Sequence, residues 1–342
     1  MIRRDAALAA GGLAIGAALI ARGLRARRAL DLDGAVALIT GGSRGLGLLL
    51  ARELGRQGAR VVLAARDAEE LDRARTDLEA TGVDAAVLVA DVGAGAGADR
   101  VVEDVVAMHG RIDVLVNNAG IIRVGPVDHM SIADFDEAMA VHFWAPLRTM
   151  RAAIPHMRRQ GGGRIVNISS IGGKIGVPHL VPYCASKFAL TGLSTSMRPE
   201  LLSDDIYITT VSPGMMRTGS PFNAWFKGQH REEFAWFAIS GSIPWMSIGA
   251  ERAARQIVDA ARHGDAELVV SLPARLAVTA YGLAPAAMAF AMAAGNRLLP
   301  GVTDSRGATA HSGWQSGSKW APSTLTKLTD DAAARNNELP PR

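Results

Sequence analysis

Thr40-Gly41-Gly42-Ser43-Arg44-Gly45-Leu46-Gly47 decides the fold through what stands on either side of it. Residues 35–39 before it form a short apolar run, and residues 48–57 after it carry apolar side chains at helical spacing. Strand, tight turn and helix in that order make a βα unit. Glycines at 41, 45 and 47 let the backbone turn sharply and approach a pyrophosphate, and the unpaired N–H groups opening the helix attract its charge.

Outward from that unit the same alternation continues. Residues 60–64, 86–89, 114–116, 164–168, 206–211 and 267–270 read as further buried strands, each after a helical segment. About seven strands separated by helices imply an α/β fold, a Rossmann-type doubly wound parallel sheet. Composition agrees: 49% of the 342 residues are hydrophobic but only 5% are aromatic, so Ala, Val, Leu and Ile must supply the buried sheet and its covering helices. One domain is expected over residues 31–274. Residues 1–30 form an apolar N-terminal helix, residues 275–300 an apolar helical extension, and residues 301–342 a polar tail expected to lack order.

The net charge of +4 is small, and part of it lies in Arg22, Arg25, Arg27 and Arg28. No basic stripe with interleaved aromatics follows, which argues against a nucleic-acid partner. Sixteen uncharged residues, 6–21, precede those arginines; they are short for a span but suited to membrane association. The positive-inside rule would then keep the domain cytoplasmic, the alternative being a wholly cytoplasmic protein whose apolar segments pack in an oligomer. Residues 276–294 are a second uncharged stretch, broken by Pro285. The single Cys184 rules out an internal disulfide, and no histidine spacing fits a metal, so none is expected.

Four motifs resemble the short-chain dehydrogenase/reductase family in its order. They are the Thr40 to Gly47 loop, Asn117-Asn118-Ala119-Gly120, Ser170 standing 13 residues before Tyr183-Cys184-Ala185-Ser186-Lys187, and Pro213-Gly214 with Thr218. The resemblance spans roughly residues 32–272 and implies a nicotinamide cofactor. Its binding residues would be Gly41, Ser43, Arg44, Gly45, Leu46, Gly47, Asp91, Val92, Asn118, Ala119, Gly120, Tyr183, Lys187, Pro213, Gly214, Met216 and Thr218. The end of the second strand reads Ala64-Ala65-Arg66, with no carboxylate for a ribose 2′-OH; Arg66 and Arg44 can instead meet a 2′-phosphate, which points to NADP.

The resemblance makes Ser170, Tyr183 and Lys187 catalytic. Tyr183 would be the general acid/base, Lys187 one turn away would favour the tyrosinate, and Ser170 would hold the substrate oxygen. The family's catalytic Asn is not matched, since the aligned segment is Val141-His142-Phe143; His142 either relays a proton or packs. Phe222, Trp225, Phe226, Phe234, Trp236, Phe237, Trp245 and Met246 crowd into a short region after the Pro-Gly motif. They suggest an apolar wall for a lipophilic carbonyl or alcohol, or an oligomer or membrane surface. The family implies a homo-oligomer. The other reading of the whole is a non-catalytic NADP-binding sensor or scaffold.

Overall fold

The structure, a computed structural model, describes residues 22–339. Its centre is a seven-stranded sheet: β1 (Val36–Thr40), β2 (Arg60–Ala65), β3 (Ala85–Val89), β4 (Val114–Asn117), β5 (Gly163–Ile168), β6 (Ile206–Pro213) and β7 (Glu267–Val270). The strands run in the order β7-β6-β5-β4-β1-β2-β3, every pairing parallel. Parallel neighbours require crossovers, and these are α1 (Gly45–Arg56), α2 (Ala68–Glu79), α3 (Gly97–His109), α4 (Ile132–Met139), α5 (Ala145–Arg159), α6 (Val181–Leu201), α7 (His230–Ser242) and α8 (Ala250–Arg262). The expected α/β architecture is the observed one.

Alternation along β1 explains why the sheet is buried on both faces. Ala37 and Ile39 join a core with Leu50 and Leu54 of α1, Leu71 and Leu78 of α2, and Ile257 of α8. Val36 and Leu38 join the opposite core with Val101 and Val105 of α3, Met150 and Met157 of α5, and Leu201 of α6. Both layers are built from aliphatic side chains, as a double-sided parallel sheet requires.

The chain order reverses between β1 and β4, opening a crevice beyond the strands' carboxyl ends. Above it sits a third cluster in which Phe222, Phe226 and Phe234 pack with Leu180 and Ala321. Most of the aromatic run therefore builds the interior of this cover, whereas Trp225 and Trp245 face solvent.

The ends add detail that the sequence does not carry. Residues 6–21 lie outside the described part, but Arg25 beyond them forms ion pairs with Asp265 at 2.9 Å and Asp259 at 2.6 Å, so part of the basic run is tied to the domain. The apolar extension starts at Leu272 and forms two helices, α9 (Leu272–Leu283) and α10 (Pro285–Asn296), parted at Ala284 before the proline; α10 buries none of its residues. The polar tail is folded, which corrects the expectation of disorder. α11 (Lys327–Arg335) packs on α7, and Thr329, Ala333 and Asn336 are buried. Its low hydrophobicity hid side-chain hydrogen bonds that satisfy it against the domain.

Candidate active site

Gly41 adopts φ +63°, and a Cβ there would fall 2.8 Å from the Cα of Ala119, so only glycine lets the β1–α1 turn meet the β4 loop. The two are then sewn together. Thr40 Oγ1 accepts from the Asn118 and Ala119 amides, both at 3.1 Å, while Asn118 Nδ2 donates to the Gly41 carbonyl at 2.9 Å. Below them Thr149 Oγ1 donates to Asn117 Oδ1 at 2.7 Å, and Asn117 Nδ2 to Asn167 Oδ1 at 2.8 Å, fixing β4 against β5.

A cleft of about 760 Å³ runs over this turn and holds nearly every expected site residue. Gly41, Ser43, Arg44, Gly45, Leu46, Arg66, Asp91, Val92, Asn118, Ala119 and Gly120 line one half. His142, Ser170, Tyr183, Lys187, Pro213, Gly214, Met216 and Thr218 line the other. Gly47 does not reach the cleft. It lies under the turn, where a Cβ would collide with the Gly41 carbonyl oxygen at 2.1 Å, so its part is to shape the turn.

Ser170 and Ser169 separate by environment. Ser169 is buried, with its hydroxyl 2.8 Å from Thr191 Oγ1 and donating to the Lys187 carbonyl at 3.1 Å. Ser170 begins a short turn and accepts from the Gly172 amide at 3.0 Å, leaving its hydroxyl beside Tyr183. Tyr183 and Lys187 share one face of α6, a helical turn apart.

Burial dominates the electrostatics of this corner. Burial pushes the Tyr183 hydroxyl up to about 12, opposed by its hydrogen bond with Ser170. Burial also pulls the Lys187 ammonium down to about 7; its hydrogen bond goes to a neutral carbonyl, that of Ile168 at 2.8 Å.

His142 occupies a π-turn, Ala140–Trp144, between α4 and α5. It is 1% exposed, with its ring edge-on to Tyr183 at 5.4 Å. Nε2 accepts from the Ile121 amide at 3.1 Å, so Nδ1 carries the proton and faces Ser186 Oγ at 2.8 Å. Ser186 Oγ in turn donates to the Tyr183 carbonyl at 2.8 Å. Burial, then the nearby Lys187 charge, hold the imidazole well below its ordinary range. Both ring nitrogens are thus engaged within the protein.

At the other end Arg66 is exposed on the rim, whereas Arg44 is ion-paired with Glu70, which also accepts from Ser43 Oγ at 3.0 Å. Asp91 accepts from the Gly93 amide at 2.9 Å, a turn-forming bond, while also facing the cleft. Sequence reasoning missed Glu70 and Glu338. Glu338 reaches into the cleft from the tail and accepts from the Gly219 amide at 2.6 Å. Neither belongs to a recognisable motif, and Glu338 lies 119 positions from its partner.

Sheet order, glycine turn and the Ser170, Tyr183, Lys187 corner together define a dinucleotide-dependent oxidoreductase class. The short chain dehydrogenase family fits residues 35–224, and the chain belongs to the short-chain dehydrogenase/reductase family, whose members bind nicotinamide cofactors. It is similar to gluconate 5-dehydrogenase of Gluconobacter oxydans (strain 621H), 40% identical over 191 residues, 55% of this chain and 73% of that one. A dehydrogenase/reductase SDR family protein 7-like of Anopheles gambiae is 40% identical over 205 residues, 58% of this chain, but the match spans only 64% of that protein's length. Among solved structures, L-sorbose reductase from Gluconobacter frateurii, complexed with NADPH and L-sorbose, superposes with a TM-score of 0.63 at 27% identity, over 71% of this chain and 97% of that one. Among the described residues no helix is long and apolar enough to cross a membrane, and no cluster of side chains fits a metal ion.

Proposed function

We propose that the protein is an NADP-dependent oxidoreductase that interconverts a carbonyl and an alcohol on a lipophilic substrate. The observation carrying this reading is that Ser170, Tyr183 and Lys187 line the same cleft as the glycine turn. The turn suits a dinucleotide. Gly45 and Leu46 open α1 at the cleft, where N–H groups favour a pyrophosphate, and the close approach of Gly41 to Ala119 leaves a flat floor. Bound there, the cofactor supplies or takes up the hydride, and its oxidised ring brings a positive charge.

The chain's own residues handle the proton. Tyr183 Oη donates it to the developing alkoxide, or removes it from an alcohol. Ser170 Oγ shares that oxygen and stabilises its charge. Lys187 supports the tyrosinate electrostatically once it is charged. His142 is a positioning residue that ties the 118–121 loop to Ser186, and through it to the backbone at Tyr183.

NADP rather than NAD is favoured by Ala64-Ala65-Arg66 at the end of β2, by the exposed Arg66, and by the NADPH held in the sorbose reductase. Arg44 can contribute once Glu70 yields it. The substrate end is apolar, lined by Ile121, Ile122, Val177, Leu180, Trp236 and Phe237, which supports a lipophilic molecule. Exposed Trp144 and Phe188, on elements that pack side by side, suit a homo-oligomer interface. The solvent-facing α9 and α10 suit membrane association with the catalytic domain on the cytoplasmic side.

Fluorescence titration with NADPH and NADH, of the wild type and Arg66→Asp, tests the nucleotide reading. NADPH should bind at least about tenfold tighter, and the substitution should abolish that preference. Equal affinities in the wild type would sink the NADP assignment. A parallel screen of lipophilic carbonyls should show turnover that falls about 10²–10⁴-fold in Tyr183→Phe, with NADPH binding retained.

A further inference from the structure

The cleft contains a piece of the chain itself. α11 is held on α7 by the Ser242 and Thr329 hydroxyls, 2.8 Å apart, and the residues leaving it run along the nucleotide half of the crevice. The Asn336 carbonyl accepts from the Gly45 amide at 2.9 Å. Asn337 Nδ2 donates to the carbonyls of Ser43 at 2.8 Å and Glu70 at 2.9 Å. Glu338 Oε2 accepts from the Gly219 amide at 2.6 Å, and its Oε1 lies 2.9 Å from where a Cβ on Gly45 would be. From the flank Arg52 Nη1 donates to Asn336 Oδ1 at 3.2 Å and Arg73 Nε to Asn337 Oδ1 at 2.9 Å.

We propose that residues 336–338 are a resident competitor of the dinucleotide: they take the Gly45 amide, at the helix start that would meet its pyrophosphate, fill the space beside it with the Glu338 carboxyl, and must withdraw before it seats. This rests on the dinucleotide reading above. The case is steric and donor-based. Gly45 opens the one helix whose N-terminus faces the expected phosphates, and its amide is already spent on a backbone carbonyl. Glu338 is only 6% exposed, so its carboxyl fills space a phosphate would require.

The docking is built to be reversible. Asn336 Nδ2 is buried with no partner among the described residues, a cost that withdrawal relieves. Burial raises the Glu338 carboxyl to about 8, opposed by its bond from the Gly219 amide and by Arg44, with Glu70 pushing the same way as burial. Both features weaken the docked arrangement, while tethering through α11 keeps the segment close at high effective concentration.

NADPH titration of the full-length wild type, Glu338→Ala and Asn337→Ala, with melting temperatures as a folding control, tests this. If the segment is docked about nine-tenths of the time, freeing the site tightens NADPH binding about tenfold in either variant. Trypsin cleavage after Arg335 in the wild type, which depends on no variant folding, should also accelerate when NADPH is added. Unchanged or weaker NADPH binding in the folded variants overturns the competitor, as does cleavage that NADPH leaves unchanged or slows. Absence of any NADPH or NADH binding to wild type and variants alike overturns the nucleotide reading, and the competitor falls with it.

Discussion

The Lys187 ammonium sits 2.8 Å from the Ile168 carbonyl and 5.6 Å from the centre of the Tyr183 ring, so the cation meant to steer the tyrosine is itself buried against a neutral acceptor. That arrangement explains the opposed shifts, Lys187 down to about 7 and Tyr183 up to about 12, both caused by burial. A positive charge brought close to Tyr183 would favour its tyrosinate form.

Lys187→Met should therefore stabilise the protein while disabling it. Lys187 titrates near 10.5 when unfolded but near 7 when folded. Between those values the unfolded chain binds the extra proton, so wild-type stability rises with pH across that window. Calorimetry at pH 7 should place the variant about 5 °C above the wild type, the gap closing towards pH 10. Turnover should fall about 10²–10⁴-fold. A variant that melts lower at pH 7, or a gap that ignores pH, would show that Lys187 is not held in a desolvated state.

His142 yields a prediction of the opposite kind, a histidine that does not titrate. With Nε2 accepting from Ile121 and burial opposing the cation, the ring should stay neutral, protonated on Nδ1, across the range in which an ordinary histidine titrates. Nitrogen chemical shifts of His142 should be flat across that range, and the pH dependence of turnover should carry no step belonging to it. His142→Phe removes both hydrogen bonds and leaves the half-buried Ile121 amide without its partner, at a cost of about 1 kcal/mol by denaturant unfolding. Its effect on turnover should be smaller than that of Tyr183→Phe. A shift curve centred near pH 6.5 would revive a proton-relay role.

These residues show what the sequence could and could not disclose. Ser170, Tyr183 and Lys187 were legible through the spacing they share with the family's motif, and Gly41 through the glycine-rich turn between a strand and a helix; the structure adds that Gly41 meets Ala119. His142 was visible as a position but not as a state, since its neutrality depends on Ile121 and Ser186. The aromatic run misled by density: Phe226 and Phe234 are core, and only Trp236 and Phe237 of that run reach the cleft. Asn337 and Glu338 were illegible, because their burial is earned through Ser43, Glu70, Arg73 and Gly219 rather than through any apolar pattern.

The exposed helices α9 and α10 give the last prediction. Leu276 is 62% exposed, Leu283 82%, Phe290 80% and Leu298 88%, and residues 276–294 carry no charge. A protein partner covers one side of a helix, whereas lipid surrounds it, and α10 is apolar on every side with no residue buried. Twelve helical residues extend about 18 Å, too short to span a bilayer of about 30 Å but enough to embed in one leaflet. Arg275 and Arg297 flank the uncharged stretch, where they can reach anionic headgroups. A polarity-sensitive fluorophore on Phe290→Cys reports on this helix alone, because the native Cys184 is buried and any contribution of residues 6–21 leaves the probe unmoved. Vesicles of phosphatidylcholine with phosphatidylglycerol should shift its emission to the blue, with quenching by brominated acyl chains. Emission that stays in the aqueous range while the protein sediments with vesicles would assign membrane binding to another part of the chain and leave α9 and α10 for a protein partner.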